Sequence, residues 1–226
     1  MTRRRVLLAA AVLATAVACA RVDRLLETSP KPSPEDGAWA EQRDRWTRQA
    51  SLYDGLAMRA LATATYQSPE ARRTRAERTA AWKAMTPPER AALLADEESE
   101  LQKYDDFVVS ITTADPADND LNSRTTDWRI AIVRSDAPDV VGPEVVELRA
   151  DALLRTLYPK IGDFDTAYRV RFARQPGIET WAKPFTLRLA GPRGRLDFPF
   201  GQRAPGAEPS ADAAGAAPDA AAAATN

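Results

Sequence analysis

The chain has 226 residues, 31 basic against 32 acidic side chains, no histidine and one cysteine. That length can bury a core in one or two domains, and the balanced charge supplies no strong field toward nucleic acid or an anionic surface. Without histidine there is no imidazole metal site and no Ser-His-Asp or Cys-His arrangement; a single cysteine closes no internal disulfide and builds no thiolate zinc site.

The N-terminus reads Met1-Thr2-Arg3-Arg4-Arg5, followed by an apolar run from Val6 to Ala18. A basic start, about a dozen apolar residues and a small-residue end predict a secretory signal peptide over residues 1–18. The run falls short of the roughly 20 residues that span a bilayer. The arginine triplet before Val6-Leu7 is compatible with general secretion or with twin-arginine export, and an arginine-rich start of the general kind is the simpler reading.

The stretch Ala16-Val17-Ala18-Cys19 resembles the lipobox of bacterial lipoproteins. The resemblance implies cleavage before Cys19, a diacylglycerol on its thiol and acylation, usually by palmitate, of the new amine. Ala16-x-Ala18 also suits ordinary signal peptidase, which would release a soluble exported protein. The only cysteine of the chain stands where lipidation needs it, which favours the lipoprotein reading, and two or three acyl chains anchor stably. Ala20, rather than aspartate, follows the cysteine; by resemblance to lipoprotein sorting this implies the outer membrane, facing the periplasm or the cell surface. Beyond the signal the chain resembles exported lipoproteins of GC-rich Gram-negative bacteria, a likeness that carries no activity with it.

Residues 19–33 are polar, and Pro30 and Pro32, with Pro34 just beyond, favour an extended tether. Three helix starts then share one grammar: Ser33-Pro34, Ser68-Pro69 and Thr86-Pro87 each put a capping hydroxyl before a proline at the first helical position. Asp36 and Glu89 follow Ser33 and Thr86 by three, at capping-box spacing. The first helix is expected from Pro34 to Tyr66, with Trp39, Trp46, Tyr53 and Ala60 seven apart and Gly55 as a kink or break. A second, Pro69 to Met85, is arginine-rich; a third, Pro87 to Tyr104, carries Asp96, Glu97, Glu98 and Glu100. As a hairpin they would face each other with opposite charge, through exposed pairs that set orientation more than stability. Residues 34–104 are thus read as a helical region.

After Asp105 the apolar period becomes two: Phe107-Val109-Ile111, Trp128-Ile130-Ile132, Tyr168-Val170-Phe172, Phe185-Leu187-Leu189 and Leu196-Phe198-Phe200, the last pair joined through Gly191-Pro192-Arg193-Gly194. Strict alternation implies one buried and one wet face, hence antiparallel pairing. A shorter strand near Val145 to Leu148 and a helical crossover from Ala150 to Leu157 complete a β domain over 105–202. The fold class is α+β: an N-terminal helical segment followed by an antiparallel β-sandwich of immunoglobulin-like size. The alanine- and proline-rich residues 203–226 have nothing to pack and are read as a disordered tail.

Asp118, Asp120 and Asn122 repeat at the odd spacing that opens a calcium loop, but Ser123 replaces its glycine and Arg129 stands where the bidentate glutamate belongs. A polar connection closed by Asx turns accounts for them as well, so no metal and no cofactor is expected. Arg129, Arg169, Arg171 and Arg188, facing outward from the strands, form a candidate basic binding surface if their strands are neighbours. No nucleophile or phosphate-loop motif occurs. The expected role is a non-catalytic envelope lipoprotein, an accessory, scaffold or binding module for a protein or glycan, with no part for nucleic acid; the alternative is a carboxylate-dependent peptidoglycan or glycan hydrolase.

Overall fold

The computed structural model describes residues 37–175 and 177–201. The signal, Cys19, the tether, the Ser33-Pro34 helix start with Asp36, and the 203–226 tail lie outside them. The described chain is a mixed α/β protein of two antiparallel sheets. Its order is α1 (Gly37–Arg45), β1 (Thr47–Asp54), β2 (Ala57–Tyr66), α2 (Pro69–Trp82), α3 (Pro87–Lys103), β3 (Tyr104–Thr113), β4 (Arg129–Val133), β5 (Val140–Val141), β6 (Glu144–Leu148), α4 (Ala152–Leu157), β7 (Thr166–Ala173), β8 (Phe185–Gly191) and β9 (Gly194–Phe200).

The helix expected through Tyr66 stops at Arg45, and a β-hairpin replaces the rest. Gly55, at φ +59°, turns the chain between β1 and β2, a backbone conformation glycine adopts without steric cost. Ala60, Ala62, Ala64 and Tyr66 then alternate inward and are buried. Alanine is a strong helix former, but here its small size fits a strand packed on both neighbours, and tertiary context outweighs propensity. The seven-residue spacing was therefore no helical stripe. Trp39 packs from α1, Trp46 sits at the junction, and Tyr53 on β1 is exposed.

That hairpin also removes the expected boundary at Asp105. β2 pairs antiparallel with β3 from Ala60↔Thr113 to Tyr66↔Phe107, so one sheet runs across it. The five-stranded sheet has the order β1-β2-β3-β7-β6, and the four-stranded sheet β5-β4-β8-β9. The other strands fall where the alternation places them, and α2 and α3 begin at Pro69 and Pro87 as their caps predict. Ser68 Oγ accepts from the Ala71 N–H at 3.2 Å. Glu89 accepts from the Thr86 N–H and hydroxyl at 2.8 and 2.7 Å.

The inner faces of the two sheets share one core. Tyr66 of β2 lies 5.1 Å from Phe185 of β8 between ring centroids, Phe107 of β3 lies 5.8 Å from Phe200 of β9, and Phe185 stacks on Phe200 at 5.0 Å. Each buried phenylalanine contributes about 1.5–3 kcal/mol through area, and edge and stacked ring pairs add about 0.5–1.5 kcal/mol. Leu52 of β1 reaches the β8–β9 turn, where a Cβ on Gly194 (φ +138°) would stand 2.7 Å from its Cδ1. Only glycine lets that turn come so close.

The opposite face of the five-stranded sheet is not wet, as strict alternation had implied. Asp106, Val108 and Ser110 of β3 point there and are buried, because the α2–α3 hairpin and the segment after α4 lie over them. Arg72 of α2, 3% exposed, meets Asp106 at 2.7 Å. Glu97 of α3 joins Arg75 at 2.6 Å and Arg72 at 3.4 Å. The opposite charges of the two helices do meet, but at Arg72 they are buried and tied to the sheet rather than exposed.

Candidate functional site

An open cleft of about 650 Å³ lies where the end of α1, the start of α2 and the segment before β8 converge. Arg45, Trp46, Arg48, Trp181 and Lys183 line it, beside Gly201. The short run Arg43-x-Arg45-Trp46-x-Arg48 leaves α1 and enters β1. Trp46 is buried against Tyr66 at 5.3 Å between centroids, which fixes the run in place.

Arg48 is held by backbone carbonyls: its Nε donates to Pro199 O and its Nη1 to Arg45 O, each at 2.8 Å. Burial lowers its pKa from the ordinary arginine value, which leaves it charged at any physiological pH. Arg45 lies exposed with its guanidinium 5.7 Å from the Trp46 ring. Neither arginine has a carboxylate partner among the described residues. The other charges are already matched, Glu70 to Arg73 at 2.7 Å and Lys183 to Asp136 at 2.7 Å. The cleft therefore keeps uncompensated positive charge next to aromatic surface, a combination that receives carboxylates and planar or sugar faces.

The carboxylates most deeply placed serve the frame. Asp106 is bound by Arg72 and by Arg171, the latter at 3.1 Å. Asp105, its neighbour in sequence, points to the inner side and accepts from Tyr66 at 2.9 Å and Thr180 at 2.7 Å, with Arg174 at 3.3 Å. Both carboxylates are thus taken up by hydroxyls and guanidiniums of the frame.

The four arginines of the expected basic surface are not brought together. Arg169 and Arg171 lie on β7 of the five-stranded sheet, Arg129 and Arg188 on β4 and β8 of the four-stranded one. Arg171 is covered: it pairs with Glu100 at 2.7 Å as well as Asp106 and lies over the Tyr104 ring at 4.3 Å. Arg188 grips Asp197 across the β8–β9 pair at 2.8 and 3.1 Å. Arg129 is exposed, and Arg169 is half-buried between Val108 and Val146 in the strand register.

Asp118 ends a short 3₁₀ turn (Pro116–Asp118) and pairs with Arg193 from the β8–β9 turn. Asp120 accepts from the Thr126 hydroxyl at 2.8 Å, and Asn122 is exposed. A guanidinium thus stands among these carboxylates. Among the described residues no group of three or more histidines, cysteines, aspartates or glutamates is placed to hold a metal ion. Cys19 lies outside the described residues.

The cleft residues escaped the sequence because Trp46 read as one member of a helical stripe, and Arg45 and Arg48 carry no motif that sets them apart. Two cations flanking a tryptophan, close to a chain reversal, were the signal available. No protein-family model matches the chain, and no curated protein matches it. A solved structure, a protein of unknown function from Burkholderia pseudomallei K96243, aligns with a TM-score of 0.40 at 14% identity over 79% of this chain and 84% of its own.

Proposed function

We propose that this chain is a non-catalytic lipoprotein of the bacterial cell envelope, anchored through Cys19 to the outer membrane. It serves as a binding or scaffold module for an envelope partner, protein or glycan, that presents carboxylates. The observation that carries the binding reading is the cleft at Arg45 and Arg48, two cations without carboxylate partners among the described residues, set beside Trp46 and Trp181. The consumption of Asp105 and Asp106 by arginines supports a non-catalytic role. We also read the two sheets as layers of a β-sandwich, a reading supported by the ring contacts between β2, β3, β8 and β9. The anchor rests on the lipobox-like residues before Cys19. No helix of the described residues is long and apolar enough to cross a membrane.

The experiment is a pull-down from envelope extract, with purified peptidoglycan as a second bait, comparing the native chain with an R45E/R48E variant. Retention of a partner by the native chain, lost on charge reversal and weakened by salt, is the expected result. Soluble product released from peptidoglycan without stable retention would overturn it in favour of a hydrolase. Mass spectrometry of the membrane fraction should find Cys19 acylated and N-terminal; an unmodified thiol there removes the anchor.

A further inference from the structure

A second, more enclosed cleft of about 250 Å³ opens on the helix-covered face of the five-stranded sheet, away from the basic cleft. Its floor is a patch of hydroxyls set by strand register: Thr47 opposite Thr65 on β1 and β2, and Thr63 opposite Ser110 on β2 and β3. Tyr158 and Ile161, from the segment after α4, wall it with buried apolar surface. Arg43, Asp44 and Lys160 stand at its mouth.

Thr47 and Thr65 are satisfied, sharing a 2.8 Å hydrogen bond while Thr47 also donates to Arg43 O at 2.6 Å. Ser110 is not. It is 2% exposed, and its Oγ is the one buried side-chain oxygen among the described residues that has no hydrogen-bond partner. Thr63, 7% exposed, lines the same cleft directly opposite Ser110. A buried hydroxyl left unpaired costs free energy that a bound partner would recover. Such a group at the bottom of a cleft, with Thr63 opposite it across the β2–β3 pair, marks a place for a ligand's own hydroxyls or carbonyls.

The mouth supplies the sign of the ligand's charge. Arg43 and Asp44 neutralise each other at 2.9 Å. Lys160 is exposed and forms no ion pair with another described residue. The volume lies below the roughly 300–1,000 Å³ of drug-sized ligand pockets, which limits the occupant to about one sugar ring. We propose that this cleft binds a compact hydroxylated monocarboxylate, of sugar-acid size, with its hydroxyls on Thr63 and Ser110 and its carboxylate at Lys160. This site is independent of the basic cleft and of the lipid anchor.

The test is a titration of the full chain, followed by backbone amide NMR, with three probes: glucuronate, glucose, and cyclohexanecarboxylate, which has the charge without the hydroxyls. Glucuronate should give saturable shifts confined to Thr47, Thr63, Thr65, Ser110 and Lys160, and bind about tenfold more tightly than either other probe. Lys160→Met should weaken glucuronate about tenfold without changing glucose, and Thr63→Val should weaken both by several-fold. Each variant is compared at a melting temperature within a few degrees of the native chain; Ser110→Ala, which removes a single atom, serves where Thr63→Val does not fold. Equal binding of glucose and glucuronate overturns the carboxylate assignment. Absence of saturable shifts at the floor with any of the three probes, or shifts indifferent to both floor variants, overturns the site.

Discussion

The two faces of the five-stranded sheet are both buried, yet they are buried by opposite means. On β3 the consecutive residues Asp106 and Phe107 take opposite sides. Phe107 enters the aromatic core shared with the four-stranded sheet, whereas Asp106 enters a lattice of Arg72, Arg171, Glu97 and Glu100 beneath the helices. The aromatic face gains from area and tolerates rearrangement of shape; the charged face holds only if every member keeps its partner. The comparison separates a face that supplies stability from one that sets where the helical hairpin lies. The same helix-covered side leaves the Ser110 hydroxyl unpaired, so one half of it is held by ion pairs while the other keeps an open hydroxyl.

The largest test sets single losses on the two faces against each other. Phe107→Ala should destabilise by about 3–5 kcal/mol, through lost transfer and the cavity left. Asp106→Ala should cost a similar ~3–5 kcal/mol, because Arg72 would stay buried without its closest partner. The faces then part company: Asp106→Leu combined with Arg72→Met should recover most of the loss, since Glu97 keeps Arg75 and Arg171 keeps Glu100. Urea denaturation of the three variants checks this. A double variant as unstable as Asp106→Ala would mean the charges contribute stability themselves and the contrast is wrong.

A smaller effect, of opposite sign, separates the matched half of that face from the open half. Ser110→Ala removes an unpaired buried hydroxyl and should raise stability by about 1 kcal/mol in the absence of ligand. Ser68→Ala, which deletes the α2 cap, should lower it by about 1 kcal/mol. Thermal melts of the two side by side give the answer, and a destabilising Ser110→Ala would show that its hydroxyl is already satisfied.

Much of the aromatic face was legible because period-two alternation in Phe107-Val109-Ile111 or Leu196-Phe198-Phe200 is a local signal. The starts of α2 and α3 were legible for the same reason, since a hydroxyl before proline acts within one turn. β1 and β2 were not: alanines at 60, 62 and 64 favour a helix locally, and only pairing with β3 makes them a strand. The second buried face escaped because its cover is polar; Asp106 and Arg171 look solvated until Arg72 and Glu100 arrive from other elements. The basic cleft draws Arg48 and Lys183 together from distant positions, which no spacing announces.

The smallest expected effect concerns a charge that acts alone at the helical layer's exposed edge. Hydrogen bonds from the Thr86 hydroxyl and N–H hold the Glu89 carboxyl below its ordinary pKa. A depressed carboxyl favours the folded state when ionised, so its contribution is fully present above the unfolded value of about 4.3. It is lost as pH falls through the lower, folded value. The native chain should therefore melt above Glu89→Gln at pH 7, and the gap should narrow at pH 3. Glutamine retains an acceptor for Thr86, so the difference isolates the charge and its place near the start of α3. Because this cap has no buried partner to strand, its loss should stay well below that of Asp106→Ala; an equal loss would erase the distinction between an exposed cap and a buried lattice. A gap unchanged between the two pH values would assign the cap to hydrogen bonding without charge.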